Sequence, residues 1–241
     1  MTKGFSTGAL ARGNFHQAIE VLGNSTANAI ELSALREDEV KLLVDSIDHL
    51  NLNKFEFISF HAPSKLSHLD EEELIDLLAP IVRRGWPIIT HPDIITKYAN
   101  WERLGKSLCI ENMDKRKKIG RTTIDLKEIF SKLPMATFCF DIAHARQVDP
   151  TMTEAYLMVT EFGSRLEEIH ISSVNAQSKH EPLTFETLLS YRKLAEFIPK
   201  NTPIILESPV PFEKIELEMS LATSTLFQEK NSQIYQELEF A

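Results

Sequence analysis

Eight short apolar runs, each followed by a segment of helical spacing, constrain this chain more than any other feature. The runs are rich in β-branched and aromatic residues: GFSTGAL (4–10), NAIELSA (28–34), FEFISFHAP (55–63), PIITHPD (87–93), SLCIENM (107–113), TFCFDIAHA (137–145), LEEIHISSV (166–174) and PIILESPV (203–210). Helical spacing fills the intervals 14–22, 34–50, 69–84, 94–104, 123–132, 153–162, 185–197 and 213–227; in the second of these Val40, Leu43, Val44, Ile47 and Leu50 fall on one stripe. Asp70 before a run of glutamates, and Thr123 or Asp125 with Pro134 downstream, mark helix ends.

Strands that are apolar along most of their length, each joined to the next by a helix, belong to a parallel sheet buried on both faces. Eight such units predict a closed α/β barrel, a single (β/α)8 TIM-barrel domain over residues 1–241, since such barrels use ~250 residues. No GxGxxG follows the first strand and no GxxxxGK[ST] occurs, so the nucleotide signatures of open sheets are missing. With 8 Gly and 11 Pro, the chain has little material for a flexible linker.

A net charge of -9 excludes nucleic-acid binding through an overall basic surface. One local exception is Lys115-Arg116-Lys117-Lys118, followed by Arg121. The segment MTKGFSTGAL has no apolar core of a signal peptide, and no apolar stretch approaches the ~20 residues of a membrane span, so a soluble cytoplasmic protein is expected. Cys109 and Cys139 lie inside apolar runs and read as buried free thiols of a reducing compartment.

A barrel of this kind gathers its chemistry at the C-terminal ends of its strands. At those ends stand His61, His91, Glu111, Asp141 with His144, His170 and Glu207, and His180 follows in the loop after the seventh strand. Carboxylates crowded into a barrel mouth repel one another and lose hydration, so they need a cation or protons. Imidazole and carboxylate together suit Zn²⁺, Mn²⁺, Co²⁺ or Fe²⁺, and the absence of cysteine from the set disfavours a thiolate zinc site. His16, His49 and His68 lie in or just before helical segments and read as structural or solvent-facing.

The ordered set His61, His91, Glu111-Asn112-Met113 with Gly120-Arg121-Thr122, Asp141-x-x-His144, His170, His180 and Glu207 resembles the xylose isomerase-like TIM-barrel superfamily, and by metal pattern its endonuclease IV branch, AP endonuclease family 2. The resemblance spans all eight strands, with its specificity in the rim residues. It implies that His61 and His91 hold one metal, that Glu111 bridges it to a second held also by Asp141, His170 and Glu207, and that His144 and His180 belong to a third. The pattern expects an aspartate two residues before the last histidine; Ser178 stands there, and a hydroxyl is a poorer ligand than a carboxylate.

Two reactions follow from the resemblance. The first is phosphoester hydrolysis at a di- or trinuclear site, for which His61 and His91 discriminate and to which Lys115 and Arg121 add phosphate contacts. The second is isomerisation or epimerisation of a sugar or sugar phosphate at a single ion held by Glu111, Asp141, His170 and Glu207, with Glu111 and Glu207 moving protons and His144 touching substrate. A barrel that binds metal without turnover is the third alternative. The loop APSKLSH after strand three has no aromatic wedge to enter a base stack, which favours a small phosphorylated or sugar substrate over DNA.

Overall fold

The structure, a computed structural model, describes residues 1–227 of the 241. Its strands are β1 (Lys3–Ser6), β2 (Ala29–Ser33), β3 (Phe57–His61), β4 (Ile88–Thr90), β5 (Leu108–Glu111), β6 (Thr137–Asp141), β7 (Leu166–Ile171), β8 (Ser173–Val174), β9 (His180–Glu181) and β10 (Ile204–Leu206). Its α-helices are α1 (Thr7–Ala11), α2 (Phe15–Gly23), α3 (Glu37–Ser46), α4 (Glu71–Arg83), α5 (Tyr98–Trp101), α6 (Thr123–Lys132), α7 (Ile142–Val148), α8 (Thr153–Phe162), α9 (Phe185–Arg192) and α10 (Ile215–Phe227). All strands but β8 and β9 pair in parallel, in the order β1-β10-β7-β6-β5-β4-β3-β2, and β2 against β1 closes the barrel. The (β/α)8 barrel expected from the eight runs is therefore the fold; residues 228–241 of the single-domain reading lie outside the described residues.

The apolar runs are longer than the strands they contain, for reasons local to each strand end. In the first run the sheet stops at Ser6, and Thr7, Gly8 and Leu10 are buried as one turn of helix on the rim, where Thr7 Oγ1 accepts from the Ser33 backbone N–H at 2.9 Å. In the sixth, Asp141 ends β6 and caps α7, accepting from the His144 backbone N–H at 2.7 Å. Pro92, which lacks an N–H, turns the chain out of β4 into a 3-10 turn. The seventh run divides into β7 and β8, and β8 folds back on β9 as an antiparallel pair that carries His180.

Capping explains where several helices begin. Asp70 and Glu73 form a reciprocal capping box at α4, and Thr184 and Thr187 do the same at α9. At α6 the cap is Thr122 with Asp125, and the helix begins at Thr123, where the sequence places it. The helical stretch expected at 94–104 is instead short α5 and a 3-10 segment, interrupted at Gly105 with φ 55°.

Side chains alternate across each strand. Ile30, Leu32, Phe60, Phe138, Phe140 and Ile169 face outward into one large core beneath the helices. The inward positions are different. Ile89, Cys109 and Cys139 form a small separate apolar cluster, while Glu31, Ser59 and Glu168 are fully buried polar groups. An interior usually filled by branched aliphatic side chains is here half polar.

β1 approaches β2 closely because residue 4 has no side chain: a Cβ on Gly4 would stand 1.7 Å from the Ala29 carbonyl oxygen. Gly4→Ala is expected to lower unfolding stability by at least ~1–3 kcal/mol, read as a shift of the urea midpoint; an unchanged midpoint would contradict this account of the β1–β2 contact.

Candidate metal centre

Glu111 ends β5 almost fully buried, and its two oxygens face different partners. Oε2 lies 3.3 Å from His61 Nε2 and 3.0 Å from His91 Nε2. Oε1 lies 3.4 Å from His144 Nδ1 and 3.6 Å from His170 Nδ1. The carboxylate thus stands between two groups of donors, one at the ends of β3 and β4 and one at the ends of β6, β7 and β10 and the start of α7.

The first group is His61, His91 and Glu111, with ligand atoms all within 4.8 Å of one another. The His61 Nδ1–H donates to the Ala62 carbonyl at 2.7 Å, which turns Nε2 toward Glu111. The second group is Glu111, Asp141, His170 and Glu207, within the same span. His170 Nδ1 is 3.6 Å from Glu207 Oε2, and the Glu207 backbone N–H donates to the Ile171 carbonyl, which fixes its place beside β7. A third group comprises Asp141, His144 and His180, the two rings 5.5 Å apart.

These residues fit a divalent cation on two observations. Asp141 Oδ2, His170 Nδ1 and Glu207 Oε2 are buried with no hydrogen-bond partner, and all three belong to the second group. Tetrahedral bonds of ~2.1 Å hold donors ~3.4 Å apart, close to the 3.6 Å separations found here. Cys139 also brings its sulfur near Glu168 and His170, a group that the sequence reading of a buried free thiol did not include, and burial raises its thiol pKa well above the usual value.

Several neighbours hold this geometry. Asn112 locks the end of β5 to the end of β6: its side-chain amide donates to the Asp141 carbonyl, its side-chain oxygen accepts from the Asp141 N–H, both at 2.8 Å, and its own carbonyl accepts from His144 Nδ1 at 3.0 Å. Gly120, with φ 76°, closes the loop after β5 by accepting from the Met113 N–H at 2.8 Å. A Cβ there would meet Pro92 Cγ at 2.6 Å, so the glycine lets this loop lie against the turn that carries His91.

Ser178 does not join the third group. Its backbone is left-handed, φ 57°, and its hydroxyl donates to Gln147 Oε1 at 2.6 Å. His180 is instead paired through Nδ1 with Ser172 Oγ at 2.8 Å.

Above the donors opens a cavity of about 290 Å³ whose walls include His61, His91, Glu111, His144, His180 and Glu207. Its cationic lining is Arg12 and Arg116; Lys115 and Arg121, expected from the basic run, do not line it. Lys115 is exposed, while Arg121 is half-buried beside the start of α6, its backbone N–H on Asp125. Arg116 is held by a two-point pair with Asp114, at 2.9 and 2.8 Å. Arg12 projects from a left-handed residue, φ 47°, at the end of α1, and among the described residues its guanidinium has no ion pair. Its location could not be read from sequence, because it depends on that backbone turn.

Two fully buried carboxylates were also missed, Glu31 on β2 and Glu168 on β7. Their signal was present: each is an acid at an inward-facing position, Glu31 between Ile30 and Leu32, and Glu168 two residues before His170.

Burial raises the pKa of Glu111, but His91, His170 and His61 outweigh it and hold the carboxyl well below its ordinary range. Asp141 is pushed up by burial and by Glu207 and Glu111 beside it. Burial pulls His61 down, yet Glu31 and Glu111 raise it to about 9, and burial lowers His91.

No protein-family model and no curated protein sequence matches the chain. Solved structures do. Endonuclease IV from Thermus thermophilus is 16% identical with a TM-score of 0.58, over 94% of this chain and 99% of that one. A protein from Bacillus anthracis described as the probable 3-DHS dehydratase AsbF of petrobactin synthesis is 11% identical with a TM-score of 0.62, over 96% and 100%. A protein from Anabaena variabilis described as a sugar phosphate isomerase/epimerase is 14% identical with a TM-score of 0.52, over 91% and 88%. The barrel fold is thus shared with endonuclease IV and with the two other structures, as the sequence implied.

With a pKa of about 9, His61 carries a proton at neutral pH that a cation on Nε2 must displace. Zinc binding is therefore expected to release at least one proton per chain at pH 7 and to weaken as pH falls from ~9 toward 6. Calorimetric titration in two buffers of different ionisation enthalpy checks this; binding without proton release would contradict it.

Proposed function

We propose that this chain is a divalent-metal-dependent hydrolase of phosphoesters, with Glu111 shared between two cation sites. The observation that carries the reading is the division of labour within that one carboxylate: Oε2 faces His61 and His91, and Oε1 faces His144 and His170. A one-metal isomerase needs only the group Glu111, Asp141, His170 and Glu207, and gives His61 and His91 no role.

His61, His91 and Glu111 would hold one ion; Glu111, Asp141, His170 and Glu207 a second; His144 and His180, with Asp141 in place of the carboxylate absent at Ser178, would serve a third. When bound, such ions (zinc, manganese, cobalt or iron, given the nitrogen and oxygen donors) polarise phosphoryl oxygens and acidify a water. The chain supplies the rest. Arg116, fixed by Asp114, and Arg12 present guanidinium donors to an anionic substrate in the cavity, where paired N–H groups match phosphate oxygens. Burial of Glu111 and Asp141 keeps water from screening the site.

The substrate is small and phosphorylated on this reading. The cavity of about 290 Å³ suits a small molecule, and the net charge of -9 works against an extended DNA contact. Endonuclease IV itself is among the structural neighbours, which keeps DNA as a substrate to be tried. Sugar phosphate isomerisation is the second reading, favoured by the position of Glu207 on the cavity wall, where a base would meet a substrate C–H. Both cysteines are free and buried, and no helix among the described residues is long and apolar enough to cross a membrane; a cytoplasmic enzyme of one domain is part of the same proposal.

His91→Ala is expected to lower metal content by one equivalent per chain and to reduce phosphomonoester turnover at least ~100-fold, with the fold retained by circular dichroism. Unchanged metal content and turnover would sink the hydrolase reading. Exchange of a carbon-bound substrate proton with solvent, abolished by Glu207→Gln, would favour the isomerase. Arg12→Ala is expected to raise KM for a phosphorylated substrate ~10-fold or more with little change in kcat; an unchanged KM would remove Arg12 from substrate binding.

A further inference from the structure

Glu31 and Glu168 lie beneath the donor groups on the barrel axis, each 0% exposed, and neither takes part in the functional reading above. They converge on one atom. His170 Nε2 is hydrogen-bonded to Glu168 Oε1 at 3.0 Å and lies 3.1 Å from Glu31 Oε2, an ion-pair distance at an oxygen that accepts no hydrogen bond. The opposite nitrogen of the same ring, Nδ1, has no hydrogen-bond partner and stands 3.6 Å from both Glu111 Oε1 and Glu207 Oε2. One imidazole therefore separates two sets of carboxylates.

Glu31 is itself anchored. Its Oε1 accepts from Ser33 Oγ at 3.0 Å, and that hydroxyl lies 2.7 Å from Ser6 Oγ on β1. It also sits among the ligand atoms of His61 and His170, whose rings stack at 6.0 Å with planes 25° apart. Its position thus touches one imidazole from each of the two principal donor groups.

Fold stability alone accounts poorly for Glu168, whose charged form burial disfavours despite the imidazole beside it, whereas His170 and His61 hold Glu31 ionised. Orientation of a ligand accounts for it well: a histidine that binds metal through one nitrogen donates the N–H of the other to a carboxylate, which fixes the tautomer and strengthens the donor.

We propose that Glu31 and Glu168 are positioning residues for the metal centre, a carboxylate pair that keeps the His170 proton on Nε2 and turns the Nδ1 lone pair toward Glu111, Asp141 and Glu207. The proposal rests on the reading of that group as a cation site. Neither glutamate touches substrate; each acts through an imidazole.

The test uses the full chain, stripped by chelator and titrated with zinc against a chromophoric competitor, as the unmodified protein, Glu168→Gln and Glu168→Leu. Glu168→Leu removes both acceptor and charge and is expected to weaken zinc binding ~10–100-fold. Glu168→Gln keeps an acceptor oxygen and is expected to recover part of that loss. The melting temperature of the metal-free form should hold steady or rise in both, since a buried charge is removed. Zinc affinity equal to that of the unmodified chain in both variants would overturn the proposal, as would a loss of metal-free stability with affinity unchanged. If the variants do not fold, nitrogen-15 spectra of the zinc-loaded unmodified chain decide: zinc on Nδ1 with the proton on Nε2 of His170 supports the proposal, and a proton on Nδ1 overturns it. A chain that binds no zinc at all would overturn the functional reading and this proposal with it, whereas tight zinc binding unaffected by the substitutions removes only the proposal.

Discussion

A carboxylate removed from water must find its stabilisation inside the protein, and Glu111 finds it on both sides. Histidines at the ends of β3 and β4 meet one oxygen and histidines of α7 and β7 meet the other, so the electrostatics of the barrel mouth are organised around a single side chain. The surrounding structure follows from keeping that side chain still. Asn112 ties the next residue of the chain to the end of β6, and Asp141 is at once a member of the donor set and the N-terminal cap of α7.

The polar organisation continues below the rim. Most barrels of this class fill their interior with aliphatic layers, but here Ile89, Cys109 and Cys139 share it with the buried polar groups Glu31, Ser59 and Glu168. The hydrophobic work is carried by the outward faces of the strands against the helices. That separation lets the interior hold charged groups in register with the donors above them: Glu31 pairs along the sheet with Ser59, and Cys139 with Glu168.

The barrel could be read from the chain because its signal is repeated: eight apolar runs with crossover helices leave few other parallel arrangements. The donor set could be read because strand ends converge by the geometry of the fold, so position along the sequence implied position in space. What escaped depends on details that have no such repetition. Thr7 to Ala11 are apolar for packing on the rim rather than for pairing in the sheet. Glu31 and Glu168 required knowledge of which face of each strand points inward, and a one-residue change of register would have sent them into the helical layer. Lys115 and Arg121 yielded the cavity wall to Arg116 and Arg12 because side-chain direction in these loops is set by backbone turns, among them left-handed Arg12 and Gly120.

The sharing of Glu111 also has a thermodynamic meaning. Its two oxygens belong to one rigid plane, so rotation that suits one group of donors alters what the other group meets. Sites joined in this way are linked: whatever immobilises the carboxylate from the β3–β4 side reduces the ordering left to be done on the β6–β7 side, and by reciprocity the same free energy is felt in the opposite direction.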